Sequence, residues 1–341
     1  MTHTLLTTEL IGSYAIPSWL WLFIERMEHN PDLGETDVRE TLLDAASIAI
    51  LDQQRAGVDI LTDGEMRRRD FIQNFYGLMS GLKKRAPSRA LGSAGYDQNP
   101  RYEVVGRIDA PNGLGIGDEV AFLREFADRP FKVCVPGPIT LSLPLILAGG
   151  YNDFSGLLAD MTRIVNTEMK ALVKAGADYI QVDEPRFATS HEDARQLVKV
   201  FNQTRNGVDA KIGLHFCFGN FKGRSRDKRD YTYIAPNLDG AEADQFNFEF
   251  ANREFAQIEL LAKTPKRAKI GVGVVDVKSY FVETPEQVAA SIRLALPHVD
   301  AQRIVVTPDC GFNHCPRHVA LGKMRNMVEG AAIVRKELEG R

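Results

Sequence analysis

The chain has 341 residues, of which 44% are hydrophobic and 26% charged, with a formal net charge of −3. This length suits one large α/β barrel or two modest domains. The near balance of charge gives no electrostatic reason to expect nucleic acid or an anionic membrane as a partner. No apolar run could span a bilayer and the first residues do not resemble a signal peptide, so a cytoplasmic location is expected. Four cysteines in such a chain predict no disulfide framework.

Short β-rich runs alternate with helical patterns along the chain. Apolar residues at three- and four-residue spacing predict long helices, which cover residues 39–57, 157–177, 285–296 and 319–338. Eight runs are predicted to be strands: 8–14, 59–65, 132–138, 179–185, 212–218, 244–250, 270–277 and 303–310. Eight strands alternating with helices predict a (β/α)8 barrel of the TIM type. A doubly wound open sheet also alternates, but no glycine-rich G-x-G-x-x-G turn follows the first strand.

One long stretch interrupts this alternation. Residues 71–131 are predicted to form an insertion after strand two, within a single catalytic barrel domain that covers residues 1–341. The stretch contains a basic patch at residues 83–89 and a candidate hairpin around RYEVVGRIDA, residues 101–110. An insertion on a barrel loop often covers the active site. The alternative is a solvated loop without a catalytic role.

Polar side chains stand where most of the predicted strands end. Barrel enzymes place their chemistry at the carboxyl ends of the strands. Charged groups on apolar strands are costly unless they are paired, hydrogen-bonded or metal-bound. Seven polar strand ends therefore predict a shared polar cavity. These positions are Ser13, Asp63–Glu65, Asp183–Glu184, His215–Cys217, Glu249, Asp276–Lys278 and Asp309–Cys310.

The segment GLHFCFGN places His215 and Cys217 two residues apart. Alternate residues of a strand share a face, so both side chains are expected to point the same way. Glu249 and Cys310, at the ends of two other predicted strands, would complete a four-ligand metal site. Thiolate sulfur together with imidazole nitrogen favours Zn²⁺ over magnesium or manganese. The alternative is a buried cysteine and a hydrogen-bonded histidine without a metal ion.

The remaining cysteines and several histidines are not assigned to this site. Cys134 lies within predicted strand three and is expected in the core. Cys315 follows His314 beside a proline and is interpreted as a loop residue, with metal ligation as the alternative. Four further histidines are expected at the surface: His3, His29, His191 and His298.

The predicted ligand set indicates a kind of chemistry. A metal ion bound by two thiolates, a carboxylate and an imidazole is electron-rich and therefore a poor Lewis acid for hydrolysis. It is suited to holding an external thiol as its thiolate, because a free thiol with a pKa of about 8.5 is mostly protonated at neutral pH. The carboxylate could be displaced as the thiol enters. The sequence therefore predicts alkyl transfer to a zinc-bound thiol.

The motifs of the chain resemble those of the catalytic C-terminal barrel of cobalamin-independent methionine synthase, in the form of a single-barrel short homologue. In order, they are IGSYAIPSWL, DGEMRRRDF, VPGPIT, IQVDEPRF, LHFCFGN, FNFEFANR, GVGVVDVKS and TPDCGF. The resemblance implies a zinc-dependent methyltransferase of methionine biosynthesis, similar to the 5-methyltetrahydropteroyltriglutamate–homocysteine S-methyltransferases. It implies homocysteine as the thiol substrate.

The resemblance also assigns roles to individual residues. The family's zinc ligands fall on His215, Cys217, Glu249 and Cys310. Its homocysteine-binding residues fall on Ile11, Gly12, Ser13, Glu65 and Asp183. Two carboxylates suit the ammonium group of an amino-acid substrate, and backbone N–H groups suit its carboxylate.

Two departures from the family leave the methyl donor open between methyltetrahydrofolate and a corrinoid. Pro144 stands at about the place of a tryptophan that stacks on the folate in the family. Where the family's D-x-H-S stretch has a histidine implicated as proton donor, this chain has Asp276 and Lys278. Both are candidate catalytic residues, although a lysine could donate a proton only if its pKa were strongly lowered. Lys278 could instead bind an anionic group of the substrate.

Two other functions are alternatives. The HFCFGN segment is also similar to the epoxyalkane–coenzyme M transferases, in which a zinc thiolate opens an epoxide. A sulfonated thiol would need a cation, which Lys278 or Arg186 could provide. The other alternative is a non-catalytic barrel that binds a thiol or a metal ion.

Overall fold

A computed structural model describes residues 5–27, 33–68, 72–85, 101–189, 193–219 and 228–340, with the backbone alone for residues 25–27 and Arg186. The strands are β1 (Thr7–Thr8), β2 (Ser80–Arg85), β3 (Arg101–Asp109), β4 (Val133–Pro136), β5 (Ile146–Leu147), β6 (Tyr179–Asp183), β7 (Lys211–Phe216), β8 (Gln245–Phe248), β9 (Lys269–Val275) and β10 (Ile304–Pro308). The α-helices are α1 (Ser18–Met27), α2 (Glu35–Ala56), α3 (Gln73–Tyr76), α4 (Gly117–Phe126), α5 (Pro138–Ser142), α6 (Phe154–Ala175), α7 (Pro185–Thr189), α8 (Ala194–Arg205), α9 (Pro285–Ala295) and α10 (Arg317–Glu339).

Seven strands form a parallel sheet in the order β1-β10-β9-β8-β7-β6-β4. The second predicted strand, residues 59–65, connects the two edges of this sheet through one isolated β-bridge on each side. Glu9 bridges Ile60, and Leu61 bridges Phe131, both in parallel orientation. Eight parallel segments therefore close into a ring, as the sequence predicted for a TIM-type (β/α)8 barrel.

The long helices lie where apolar periodicity predicts them. Helices α2, α6, α9 and α10 match the four predicted ranges to within a few residues. Gly57 and Gly176 end α2 and α6 in the left-handed conformation, with φ of 82° and 104°. The residues of β4, β6, β8 and β10 are all buried, which is typical of parallel strands covered by helices. None of the described helices has the length and apolar character needed to cross a membrane.

The segment after β8 departs from the regular β–α alternation. Its residues form two short 3₁₀ helices, Ala251–Arg253 and Ile258–Lys263, in place of an α-helix. Glu254, Phe255 and Gln257 have positive φ angles of 51°, 60° and 68°. Left-handed residues cannot continue a right-handed helix, so the chain turns sharply beside the carboxyl end of β8.

The predicted 71–131 stretch carries a small sheet on one side of the barrel. Strands β2 and β3 pair antiparallel, and β3 pairs in parallel with β5, whose residues lie beyond position 131. The part of the predicted basic patch that lies in β2, Lys83–Arg85, is exposed, and residues 86–89 lie outside the described residues. The RYEVVGRIDA segment, around which the sequence predicted a hairpin, contributes one strand, β3, which pairs antiparallel with β2.

Candidate active site

Three predicted metal ligands converge at the carboxyl end of the barrel. His215 lies near the end of β7, Cys217 follows that strand, and Cys310 follows β10. One donor atom of each side chain lies within 4.8 Å of the others, and we call these three residues the thiol–imidazole cluster. His215 and Cys217 share a face of the chain, as the two-residue spacing predicted.

The geometry of the cluster fits a tetrahedral zinc ion. The sulfur atoms of Cys217 and Cys310 lie 3.6 Å apart. Two thiolates at the usual Zn–S distance of about 2.3 Å would lie about 3.8 Å apart at a tetrahedral centre. His215 is 2% exposed, and neither of its ring nitrogens has a hydrogen-bond partner among the described residues. A buried imidazole without partners is costly, and a metal ion would satisfy it.

The two thiols of the cluster differ in acidity. The hydrogen bond shared with Cys217, together with the neighbouring His215 imidazole, holds the pKa of Cys310 below its ordinary value. The same hydrogen bond and burial raise the pKa of Cys217. The two thiols thus shift in opposite directions, and thiolate is the form that ligates metals.

Glu249, the fourth predicted ligand, lies beside the cluster but is not one of its members. It follows β8 and is fully buried. Its Oε1 forms an ion pair with the Lys278 ammonium group, and its Oε2 accepts a hydrogen bond from Phe218 N at 3.3 Å. Burial raises the pKa of Glu249, an effect that Lys278 opposes and that Cys310 adds to. The structure thus shows this carboxylate bound to a lysine next to the three other candidate ligands.

Asp276 and Lys278, the candidate catalytic residues, lie in the turn after β9. The Asp276 carboxylate accepts hydrogen bonds from the backbone N of Lys278 at 2.8 Å and from the Asn252 amide at 3.3 Å. The Lys278 side chain is 3% exposed. Burial lowers the pKa of Lys278, but the Glu249 carboxylate raises it to a net value above the ordinary one. A lysine that donates a proton at neutral pH needs the opposite shift.

A second buried cluster lies beside the first and contains the two predicted substrate carboxylates. Donor atoms of Glu65, Cys134 and Asp183 lie within 4.8 Å of one another, and we call these residues the carboxylate pocket. Asp183 is paired in register with His215 on the neighbouring strand. The carboxylate pocket therefore adjoins the thiol–imidazole cluster.

The Ile11–Gly12–Ser13 segment forms one wall of the carboxylate pocket. The Ser13 hydroxyl donates to Glu65 Oε2, and the Ile11 carbonyl accepts from the Cys134 thiol at 3.2 Å. Gly12 has a φ of 148°, and a Cβ there would lie 2.8 Å from Glu65 Oε1 and 2.9 Å from the Cys134 sulfur. Only glycine permits this close approach of the backbone to the pocket.

Burial controls the ionisation of the Asp183 carboxyl. Desolvation raises the pKa of Asp183 to about 7, with a further increase from the Glu65 charge and an opposing effect of His215. Gln181 Nε2 donates to Asp183 Oδ1 at 2.7 Å. An incoming cation would be attracted by two carboxylates that repel each other in its absence.

Two residues that the sequence analysis did not single out hold Glu65 in place. Arg68 donates to Glu65 Oε1 at 3.0 Å and makes two hydrogen bonds to the Glu119 carboxylate, at 2.8 and 2.7 Å. Glu65 itself has a φ of 57°. Arg68 stands three residues after Glu65, so it could have been considered from the sequence. Glu119 is distant in the chain, and no local signal identifies it.

The other predictions have mixed outcomes. Cys134 is buried, as expected, but it lines the carboxylate pocket rather than an apolar core. The Cys315 thiol donates to the Val277 carbonyl at 3.0 Å, and burial raises its pKa to about 11, so it lies apart from the cluster. Pro144 is exposed after α5, and His298 is half-buried. His3, His29 and His191 lie outside the described residues.

Comparisons with known proteins identify the relatives of this chain. The family model described as "Cobalamin-independent synthase, Catalytic domain" matches residues 5–333. The methionine synthase of Sulfurisphaera tokodaii is 33% identical over 99% of this chain and 95% of its own length. That of Thermococcus kodakarensis is 34% identical over 99% and 96%.

A solved structure gives the same relationship. The B12-independent methionine synthase from Shewanella sp. W3-18-1, in complex with selenomethionine, matches with a TM-score of 0.85 and 28% identity, over 99% of this chain and 100% of that one. A family model that covers nearly the whole chain and relatives above 30% identity settle the membership. The chain belongs to the family of cobalamin-independent methionine synthase catalytic domains, which are methyltransferases.

Proposed function

We propose that this protein is a zinc-dependent methyltransferase that methylates the thiol of homocysteine. The observation that carries the proposal is the position of the thiol–imidazole cluster directly beside the carboxylate pocket, linked by the pairing of Asp183 with His215. A thiol group and an ammonium group of one small substrate could occupy the two clusters together. Membership of the methionine synthase family supports the same substrate.

The proposed metal site consists of His215, Cys217 and Cys310, with Glu249 as a fourth, exchangeable ligand. Zinc bound there would lower the pKa of a coordinated thiol so that it reacts as a thiolate at neutral pH. The chain's own contribution is a set of converging donors, of which His215 and Cys217 are buried and Cys310 is half-buried. Burial excludes water, which strengthens each electrostatic contact at the site.

The proposed amino-acid site consists of Ser13, Glu65 and Asp183, with the backbone of Ile11 and Gly12. Glu65 and Asp183 would pair with the substrate ammonium, and backbone N–H groups with its carboxylate. Glu65 is already held by Ser13 and Arg68 before substrate binds, so little ordering is needed on binding. We further propose that one barrel domain, residues 1–341 with the 71–131 insertion, carries both sites.

The methyl donor is a methyltetrahydrofolate or a corrinoid in this proposal. Pro144, which is exposed at the place of the family's stacking tryptophan, supplies no aromatic platform for a pteridine. A sulfonated thiol, as in epoxide-opening transferases, would need a free cation at the site. The ammonium of Lys278, one of the two cations considered for that role, is already paired with Glu249.

The direct test is turnover by the zinc-loaded protein with homocysteine. The donors to compare are methyltetrahydrofolate with one and with several glutamates, methylcobalamin and a small epoxide. Methionine formed from a methyl donor supports the proposal. Product from the epoxide alone favours the epoxide-opening alternative. Tight zinc and thiol binding without any product favours the non-catalytic barrel.

The ligand assignment predicts the effect of a single thiol substitution. Cys310→Ser should lower the zinc content of the purified protein to well below one ion per chain and abolish methyl transfer, because a hydroxyl is a much poorer zinc ligand than a thiolate. Zinc content is measured by atomic absorption and folding by circular dichroism. Cys315→Ser is the matched control, because that thiol lies apart from the cluster, and its zinc content should stay unchanged. Full zinc content in Cys310→Ser would refute the assignment.

A further inference from the structure

The ion pair between Lys278 and Glu249 is one of the most deeply buried in the described part of the chain. The Lys278 side chain is 3% exposed and the Glu249 side chain 0%. Lys278 is also close enough to the cluster to interact electrostatically with Cys217 and Cys310. A lysine in this position faces three groups that carry or can carry negative charge.

We propose that Lys278 is the counter-ion that receives the Glu249 carboxylate when a substrate thiol takes its place at the metal. This inference rests on the proposed function and assigns a positioning role to a residue in which the chain departs from the D-x-H-S pattern. Glu249 then has two alternative partners, the metal ion and the Lys278 ammonium. The structure shows the ion pair between Glu249 and Lys278, and the three other proposed donors converge beside it.

Hydrogen bonds hold Lys278 firmly in the turn after β9. The Asp276 carboxylate accepts from Lys278 N, and Asn252 donates to the same carboxylate. Asp276 N donates to Glu283 Oε1 at 2.9 Å, which fixes the other side of the turn. The turn is thus held from both sides, and the Lys278 side chain that it carries is buried beside Glu249.

Hydrogen bonds also connect the loop that carries Glu249 with the loop that carries Cys310. The Asp309 carboxylate accepts hydrogen bonds from Phe250 N and Ala251 N, both at 2.8 Å, and from Asn252 N at 2.6 Å. Asp309 precedes Cys310, and the three amides follow Glu249. Asn252 belongs to both sets of contacts, so the metal ligand, the carboxylate and its counter-ion are held in one hydrogen-bonded unit.

The exchange balances in atoms and charge. His215, Cys217 and Cys310 would hold the metal ion, Glu249 would yield its place to the substrate sulfur, and the proton of the broken S–H bond would leave to solvent. The released Glu249 stays ionised, and its negative charge is matched by the ammonium of Lys278, which stays protonated. Without that cation a released, buried carboxylate would be unpaired, which is strongly unfavourable. Lys278 thus makes the fourth position available to the thiol.

The experiment uses full-length protein, Zn²⁺ and L-homocysteine. The variants are Lys278→Met, which removes the charge, and Lys278→Arg, which keeps it. Zinc affinity is measured by competition with a chromophoric chelator in the absence of thiol, and homocysteine affinity by calorimetry on the zinc-loaded protein. Zinc X-ray absorption then counts sulfur and oxygen or nitrogen ligands before and after homocysteine is added. Lys266→Met is the matched control. Lys266 is exposed and lies just before the start of β9, at the opposite end of that strand from Lys278.

The two affinities should change in opposite directions in Lys278→Met. The homocysteine Kd should rise about ten- to a hundredfold, the range of a hydrogen bond between charged groups. Zinc should bind more tightly in the absence of thiol, because Glu249 has lost its competing partner. In Lys278→Arg, which keeps the charge, the zinc and homocysteine affinities should both stay close to the wild-type values. In Lys266→Met both affinities should be unchanged. In a Glu249→Gln background, Lys278→Met should have no further effect on homocysteine affinity.

A purely structural role for Lys278 gives another result. The zinc affinity and the homocysteine affinity of Lys278→Met would then fall together. The number of oxygen ligands at zinc in Lys278→Met would also change on homocysteine addition as it does in the wild-type protein. Either of these two results overturns the inference. Failure of the proposed function is recognised separately, because wild-type protein would then bind no zinc or no homocysteine.

Discussion

At the residue scale, Glu65 has two partners before any substrate is present. Ser13 donates to one carboxylate oxygen and Arg68 to the other. An ionised carboxylate can accept about four hydrogen bonds, so capacity for a substrate ammonium remains. The positive φ of Glu65 shows that the backbone adopts an unfavourable conformation to aim this side chain.

Glu65→Gln tests whether this carboxylate binds an ammonium group. We expect the Kd of homocysteine for the zinc-loaded protein to rise about ten- to a hundredfold, because a charged hydrogen bond of about 1.5–3 kcal/mol is lost. Binding of propanethiol, which has no amino group, should change much less. Both are measured by calorimetry, with the exposed Glu125→Gln as control. Equal losses for the two thiols would argue against an ammonium contact at Glu65.

At the element scale, the short helix α5 depends on a side chain from the next strand of the barrel. Glu184, which follows β6, accepts hydrogen bonds from Ile139 N and Thr140 N, both at 2.9 Å, and from the Thr140 hydroxyl at 2.6 Å. Burial nevertheless raises the pKa of Glu184 to about 7, above the value of 4.5 for a free side chain. The first turn of α5 thus has a cap whose ionisation lies near neutral pH.

This pKa shift predicts a pH dependence of stability. The folded protein holds a proton at Glu184 that the unfolded chain loses above about pH 4.5, so this contribution to stability falls as pH rises toward 7. Glu184→Gln should remove up to about 1.4 kcal/mol per pH unit of that slope in the free energy of unfolding. Urea denaturation between pH 5 and 7, at fixed free zinc, measures the difference from wild type. An unchanged slope in the variant would contradict the assigned pKa.

At the scale of the whole molecule, the 71–131 stretch is joined to the barrel through buried polar contacts. Glu119 on α4 pairs with Arg68, whose side chain is 3% exposed, and Arg68 in turn contacts Glu65. Glu168 on α6 accepts hydrogen bonds from Leu114 N and Ile116 N just before α4, at 2.7 and 3.1 Å. Residues of the 71–131 stretch therefore help to support the carboxylate pocket.

Glu119→Gln should destabilise the protein by about 1.5–3 kcal/mol, because it weakens the hydrogen bonds that Glu119 accepts from the buried Arg68 guanidinium. The free energy of unfolding in urea measures this effect. Glu125→Gln lies on the exposed face of the same helix and should change stability by no more than about 0.5 kcal/mol. A loss below about 1 kcal/mol in Glu119→Gln would show that Arg68 does not need this partner.

The sequence by itself determined the barrel and the positions of its polar strand ends. Helices such as α6 follow from apolar spacing and from the glycine that ends them, both of which act within a few residues. The two-residue spacing of His215 and Cys217 likewise places both side chains on one face of the chain. Cys310 could be added because parallel strand ends meet at one edge of a barrel.

Only the tertiary structure decided which buried charges pair. Lys278 with Glu249, Arg68 with Glu119, and Cys134 beside Glu65 are contacts between residues far apart in the chain. Local sequence patterns encode whether a residue is buried, but the partner of a buried charge depends on how the strand ends and the insertion are brought together. For that reason Cys134 could be predicted as buried, while its place in the carboxylate pocket could not.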